Sequence, residues 1–438
     1  MNWSRIERWI WYAFLVIAPW QTRMFFWQSR PFSEWLSGAL WLSDVCIIGL
    51  MVLALTRGWR PKIADDTDRI LVLVVAAAAL SVVTAVDRVV SIMALARLAE
   101  FGVFFLYLRQ WAFRHADADA SVTAFITGAL LQAGLGIAQY ALQHDVGIRF
   151  MGETLLRTDL HGVAVFFDAT GAKLLRVYGT FPHPNVLAAW LFAALAGLVW
   201  LFIRHGSGDN RHQLVWAAGG VILLWGLYLT FARTVIAAGA LASVVVGCSA
   251  FRDRISRSWP NIRAIRQRLV LVGIVVLLAS VVFLVAFWPS VWARAVIHSS
   301  DEAVQLRLDY ARDALSTGRG WNLNWTGVGI GGFVPWLMRH DPALPSYLYQ
   351  PAHSLPLLAY AETGILGVAA LVAFLAFISF RAWRAHAAQP LLRVGVLALF
   401  GALVFISLTD HFFWTLQQGR ILWWLVLALS AGIDSEKS

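Results

Sequence analysis

The chain has 438 residues, 59% of them apolar and only 14% charged, with 23 Trp, 27 Phe and a mean hydropathy of +0.67. A soluble domain is about half apolar and about a quarter charged, so this composition excludes an ordinary cytosolic, disordered or disulfide-stapled secreted protein. The net charge of +10 would suggest nucleic acid in a soluble chain. Here the Lys and Arg punctuate apolar runs, so they report orientation and an anionic substrate instead.

About twelve segments carry the roughly 20 apolar residues a spanning helix needs: 9–26, 36–55, 69–86, 89–108, 121–142, 184–203, 213–231, 233–251, 269–292, 354–380, 391–410 and 414–432. The expected fold is therefore an all-α polytopic membrane protein, a single integral membrane domain over 1–438. The first apolar stretch, Trp9 to Trp20, lacks a small-residue cleavage site and runs on into further spans, which argues against a cleaved signal peptide. With both termini cytoplasmic, 20 of the 35 Lys and Arg fall on the inner side, densest between Arg252 and Arg268. The positive-inside rule is then satisfied. Cys46 and Cys248 lie in apolar runs and make neither a disulfide framework nor a zinc site.

Two outward connections are long. In 143–183, alternating runs around Asp168-Ala-Thr-Gly171 read as a small β-hairpin. In 293–353, the large loop between spans nine and ten, Ser299-Ser-Asp-Glu302 reads as a capping box. Val304, Leu308, Ala311 and Leu315 then mark one helical stripe, stopped by Gly318. This amphipathic helix makes the large loop an external subdomain.

Charge inside a membrane is costly and invites a functional reading. Arg97 and Glu100, three apart on span four, read better as a mutual ion pair than as a transport site. Asp44, near a span end, is ambiguous. The runs Asp65-Asp66-Thr-Asp68 and Asp117-Ala-Asp119 resemble metal–nucleotide ligands, but a solvated cytoplasmic face explains them equally well.

The outward side departs from the charge bias: Arg88, Arg149, Arg157, Arg176, Arg233, Arg307, Arg312 and Arg319 map there. Arg233 sits at the tightest outward turn, in Leu-Thr-Phe-Ala-Arg-Thr-Val-Ile; its plain alternative is a snorkelling interfacial arginine. Arg307 lies about 60° round the loop helix from the apolar stripe, a boundary position that suits a phosphate or pyrophosphate. In Tyr349-Gln-Pro-Ala-His-Ser-Leu-Pro356, His353 stands at a helix N-terminus. The positive end of the dipole keeps its imidazole neutral and able to act as a general base. The alternative is an ordinary interfacial histidine. His183, in Thr-Phe-Pro-His-Pro-Asn185, opens span six in the same layer. His298, His340 and His411 are also outward, and no spacing among them makes a metal set. Because ATP and nucleotide sugars are absent outside the cytoplasmic membrane, a donor there has to be membrane-borne.

At these residues the sequence resembles the O-antigen ligase and polymerase superfamily of bacterial membrane glycosyltransferases, most specifically over spans six to ten. Gly179-Thr-Phe-Pro-His-Pro-Asn-Val-Leu-Ala188 resembles the family's span-opening Asn motif, and Thr230-Phe-Ala-Arg233 its Ser-Arg helix start. Arg307 with Gly327-Val-Gly-Ile-Gly-Gly332 resembles its loop arginine and glycine turn. His353-Ser-Leu with Glu362-Thr-Gly-Ile-Leu-Gly367 resembles its His-Asn and Glu-x-Gly segments. Phe-Ala-Arg in place of Ser-Arg, and Ser354 where Asn is common, depart from the pattern.

The resemblance implies a metal-independent, inverting transfer of a glycan from undecaprenyl pyrophosphate to an acceptor hydroxyl at the periplasmic face of the inner membrane, with no cofactor and no nucleic acid. The acceptor is lipid A–core in ligases and a lipid-linked repeat in polymerases; protein is a third class. The implied catalytic residues are His353 as base, with Arg233 and Arg307 on the pyrophosphate, so the resemblance implies that the large loop contributes to the active site. Arg88, Arg312, His183, Asn185 and Tyr310 are implied to line the substrate site. A transporter or flippase is the reading from another class. It calls for broken, charge-paired spans and two related halves; the sequence offers Arg97 and Glu100 and shows no repeat.

Overall fold

The computed structural model describes residues 4–168, 171–206, 210–252, 261–295, 302–317, 324–385 and 390–432. It is predominantly helical, and its sheets are two-stranded hairpins. Among the described residues eight helices are long and apolar enough to cross a membrane, and Leu42–Thr56 and Gln213–Leu229 are shorter apolar helices. The outer two expected spans hold helices of 13 residues (Arg5–Ile17) and 15 residues (Gln417–Ala431). The chain is a multi-pass membrane protein.

Side-chain caps open many of the helices, relieving orphan N–H groups. Ser4 accepts from Glu7 N, Asp65 from Asp68 N, Asp87 from Val89 N and Val90 N, and Asp117 from Ala120 N. The acid runs of the sequence are thus spent structurally. Asp65 and the fully buried Asp68 also pair with the buried guanidinium of Arg109, carried on a π-helical stretch, Leu108–Ala112. Asp119 pairs with His205 at 2.7 Å.

One expectation fails near the N-terminus. Segment 9–26 is not one helix: after Ile17 the chain meets Pro19, and Arg23–Trp27 pairs antiparallel with Gly38–Trp41. Proline ends the helix, and the aromatic run Phe25-Phe26-Trp27 suits a strand.

The chain divides into two compact units. The first comprises residues 1–22, 115–297 and 386–403. Helix Pro184–His205 is its centre, with 72% of its apolar window buried against 11% for Ile262–Ala286. Helices approach closely through glycine: a Cβ on Gly128 would lie 2.6 Å from the Val16 carbonyl oxygen. The connection after helix Ala118–Leu142 is itself folded. Buried Glu153 accepts from Val146 N, Gly147 N and Ile148 N, each at 2.8 Å, and from Gln139 Nε2. Val165–Phe167 pairs with Lys173–Leu175 as a hairpin.

The second unit comprises residues 23–114, 298–385 and 404–438. Its long helix Leu355–Ala385 breaks at Gly364, where φ is 67°. The break and the glycine turn Gly327–Gly332 interlock: Val328 N donates to Ala361 O, and Ile365 N to Asn324 O. A Cβ on Gly327 would meet the Glu362 carbonyl oxygen at 2.2 Å, and one on Gly364 the Trp325 carbonyl at 2.3 Å. Two motifs far apart in sequence therefore require glycine for one shared contact. Arg97 bridges Asp44 at 2.7 Å and Glu100 at 2.6 Å, so the expected ion pair is part of a triad that also takes in Asp44.

Candidate active site

The loop helix Glu302–Ser316 buries a different face from the one its leucines suggest. Leu308 is 47% and Leu315 58% exposed, whereas Tyr310 and Ala314 are buried, with Leu306 packed beside them. The row Leu306, Tyr310, Ala314 runs at i, i+4, i+8, and it is Tyr310 that the fold places against the start of helix Leu355–Ala385. Ser299, Gly318, His298 and Arg319 lie outside the described residues.

Tyr310 lies nearly parallel to the His353 ring, centroids 5.7 Å apart and planes 17° from parallel. Its hydroxyl donates to Leu348 O at 2.6 Å. Burial, reinforced by Asp313 and Asp309, pushes the phenol up to about 12, so it stays protonated at neutral pH.

His353 meets a second imidazole edge-on: His411 lies 5.2 Å away at 83°. His411 Nδ1 is 2.7 Å from Thr415 Oγ1, and Trp35 closes its other side at 5.8 Å. Asp410, also buried, accepts the His411 backbone N–H at 2.8 Å.

His353 Nδ1 is buried and has no hydrogen-bond partner. The ring is therefore oriented by packing between Tyr310 and His411. Burial holds its pKa below the ordinary histidine value, Arg307 lowers it further, and Asp410 opposes both. The neutral state expected from a helix terminus thus has desolvation as its first cause. His411 is drawn down to about 3, again chiefly by burial, so it is neutral as well. Two neutral imidazoles pack without repulsion.

Arg307 is exposed, three residues before Tyr310 and so about 60° from it round the helix. Arg312 is exposed and bonds Asp309 at 2.8 Å, and Arg88 is exposed at the first turn of helix Arg88–Tyr107. Below this layer, Glu362 accepts from Trp414 Nε1 at 2.8 Å, beside a cavity of about 60 Å³ lined by Phe374, Trp414, Arg420 and Trp423.

The other candidates belong to the first unit. His183 caps helix Pro184–His205, its Nδ1 accepting from Asn185 N at 3.2 Å. Asn185 Oδ1 accepts from buried Arg176 at 2.8 Å. Arg233 is the first residue of helix Arg233–Phe251, directly after the turn Thr230-Phe-Ala. Sequence reasoning named Arg176 and His411 only as outward residues and missed Asp410. The signal for the last two was Asp-His at the junction of spans eleven and twelve. Among the described residues no cluster of His, Cys, Asp and Glu could hold a metal ion.

Residues 218–372 match the family model described as O-Antigen ligase. The match takes in Arg233, Arg307, Tyr310, Arg312 and His353, the glycine turn and the helix break; Arg88, His183, Asn185, Asp410 and His411 lie outside it. No curated protein matches the chain. The match over residues 218–372 supports membership of the O-antigen ligase and polymerase superfamily.

Proposed function

We propose that the chain is an O-antigen ligase-type glycosyltransferase. It moves a glycan from undecaprenyl pyrophosphate to a hydroxyl of lipid A–core at the periplasmic face of the inner membrane. The observation that carries this reading is His353: a neutral, partly buried imidazole whose Nδ1 has no partner, clamped between Tyr310 and His411. A general base needs a deprotonated ring in a fixed orientation, and such a base contributes about 10²–10⁴-fold.

In the proposed step His353 takes the acceptor hydroxyl proton while that oxygen bonds to the anomeric carbon. The bond from this carbon to the pyrophosphate oxygen breaks on the opposite face, so the configuration inverts. Asp410, whose charge favours the protonated ring, steadies the imidazolium that forms. Arg307 and Arg233, assigned by the family resemblance, receive the charge growing on the pyrophosphate. Tyr310 orients the base, and Arg88, Arg312, His183 and Asn185 remain proposed contributors to substrate binding. The scheme uses no metal ion or cofactor.

The test is transfer by purified protein from an undecaprenyl pyrophosphate-linked glycan to lipid A–core, in EDTA, with His353→Ala alongside. Product on lipid A–core from the wild type alone supports the reading. Lengthened lipid-linked chains in its place assign the same chemistry to a polymerase, and donor-independent movement of lipid across vesicles overturns it in favour of a flippase.

A further inference from the structure

Arg176 follows the strand Lys173–Leu175 and is only 7% exposed. Burying a guanidinium is costly unless its donors are used, and here they reach the Thr230 turn and the start of helix Pro184–His205. Nε donates to Thr230 O at 2.6 Å, and Nη2 donates to Asn185 Oδ1 at 2.8 Å. The next residue adds a third tie, Val177 N to Leu229 O at 3.4 Å.

Thr230 opens a turn that an aromatic residue does not adopt by itself. Phe231 has φ of 49°, in the left-handed region that is uncommon for bulky side chains. Such a conformation persists only where its surroundings over-determine it. Arg176 holds the carbonyl before Phe231, Thr230 Oγ1 accepts the Ala232 N–H after it at 3.2 Å, and the Phe231 ring packs on Phe166 at 4.4 Å. Helix Arg233–Phe251 starts two residues later.

We propose that Arg176 is a positioning residue that fixes the direction of Arg233 by clamping the Thr230–Ala232 turn. The proposal rests on the reading of Arg233 as the pyrophosphate ligand. Lysine keeps the charge but not the fork, so it reaches one of the two acceptors and not both.

The experiment is a double-mutant cycle on lipid-linked glycan transfer: wild type, Arg176→Lys, Arg233→Lys and the double variant, with melting in detergent followed for each. Arg176→Lys is expected to lower transfer about tenfold with a melting temperature close to wild type. In the Arg233→Lys background the same change is expected to cost less than about twofold, since a clamp has nothing left to aim. An equal loss in both backgrounds overturns the proposal, as does full transfer by a folded Arg176→Lys protein. Full transfer by Arg233→Lys and Arg233→Ala overturns the reading of Arg233, and the proposal with it. Should Arg176→Lys yield no folded protein, Phe231→Gly enters the same cycle. It loosens the turn without emptying a buried charge site, and its loss is likewise expected to vanish in the Arg233→Lys background. Persistence of that loss overturns the proposal.

Discussion

Three buried polar groups of the first unit are held by several partners each: Glu153 takes three backbone N–H groups, Gln139 binds Glu153 and Gly179, and Arg176 spans Thr230 and Asn185. In the second unit the ring at the centre of the site is held by other rings, and its buried nitrogen has no partner. A fully bonded group is fixed and electrically quiet, which suits a scaffold. A buried group without a partner costs stability and calls for an explanation, a catalytic role being one. On the proposed reading, the first kind of residue aims and the second reacts.

The sharpest way to break that contrast is Arg233→Ala, expected to lower transfer about 10²–10³-fold, the cost of removing one charge-stabilising donor. Asn185→Ala, which frees one arm of Arg176, is expected to cost about tenfold or less. Parity between the two in a steady-state transfer assay would remove the distinction between aiming and reacting. Next comes the interlock of the glycine turn with the helix break. Gly327→Ala drives a Cβ into the Glu362 backbone at a φ of 73°, and a loss of about 2–4 kcal/mol is expected. Denaturation in detergent checks it, and wild-type stability would mean that the interlock is loose. The smallest effect is expected of Asp410→Asn. Asp410 raises the His353 pKa, so removing its charge moves the acid limb of the pH–rate profile to lower pH. A limb that stays put or moves up means that Asp410 does not act on His353.

The broad helical, multi-pass architecture was legible because twenty-residue apolar runs are a direct consequence of the bilayer. His353, Arg233 and Arg307 were proposed from the sequence because charge and imidazole stand out among apolar residues, and their roles remain proposals. Other features depended on partners far along the chain. The leucine pattern of helix Glu302–Ser316 pointed to Leu308 and Leu315, but the space against His353 takes Tyr310, and residue choice at that contact outweighs periodicity. The hairpin Arg23–Trp41 hid in an apolar run because hydropathy does not separate a short buried helix from a strand. Arg176 looked like one more outward arginine, since its two acceptors lie 9 and 54 residues away. Asp410 and His411 acquire meaning only when folding brings them to His353, 57 and 58 residues before them in sequence.

The most direct test of the central claim is the pH dependence of single-turnover transfer by the wild type and by His353→Ala. The account predicts a wild-type rate that holds through neutral pH and falls only below the ordinary histidine value of 6.5, because burial lowers the pKa of the catalytic ring. The variant should lose about 10²–10⁴ in rate and show no such limb. A variant that keeps both the rate and the limb would show that some other group takes the proton.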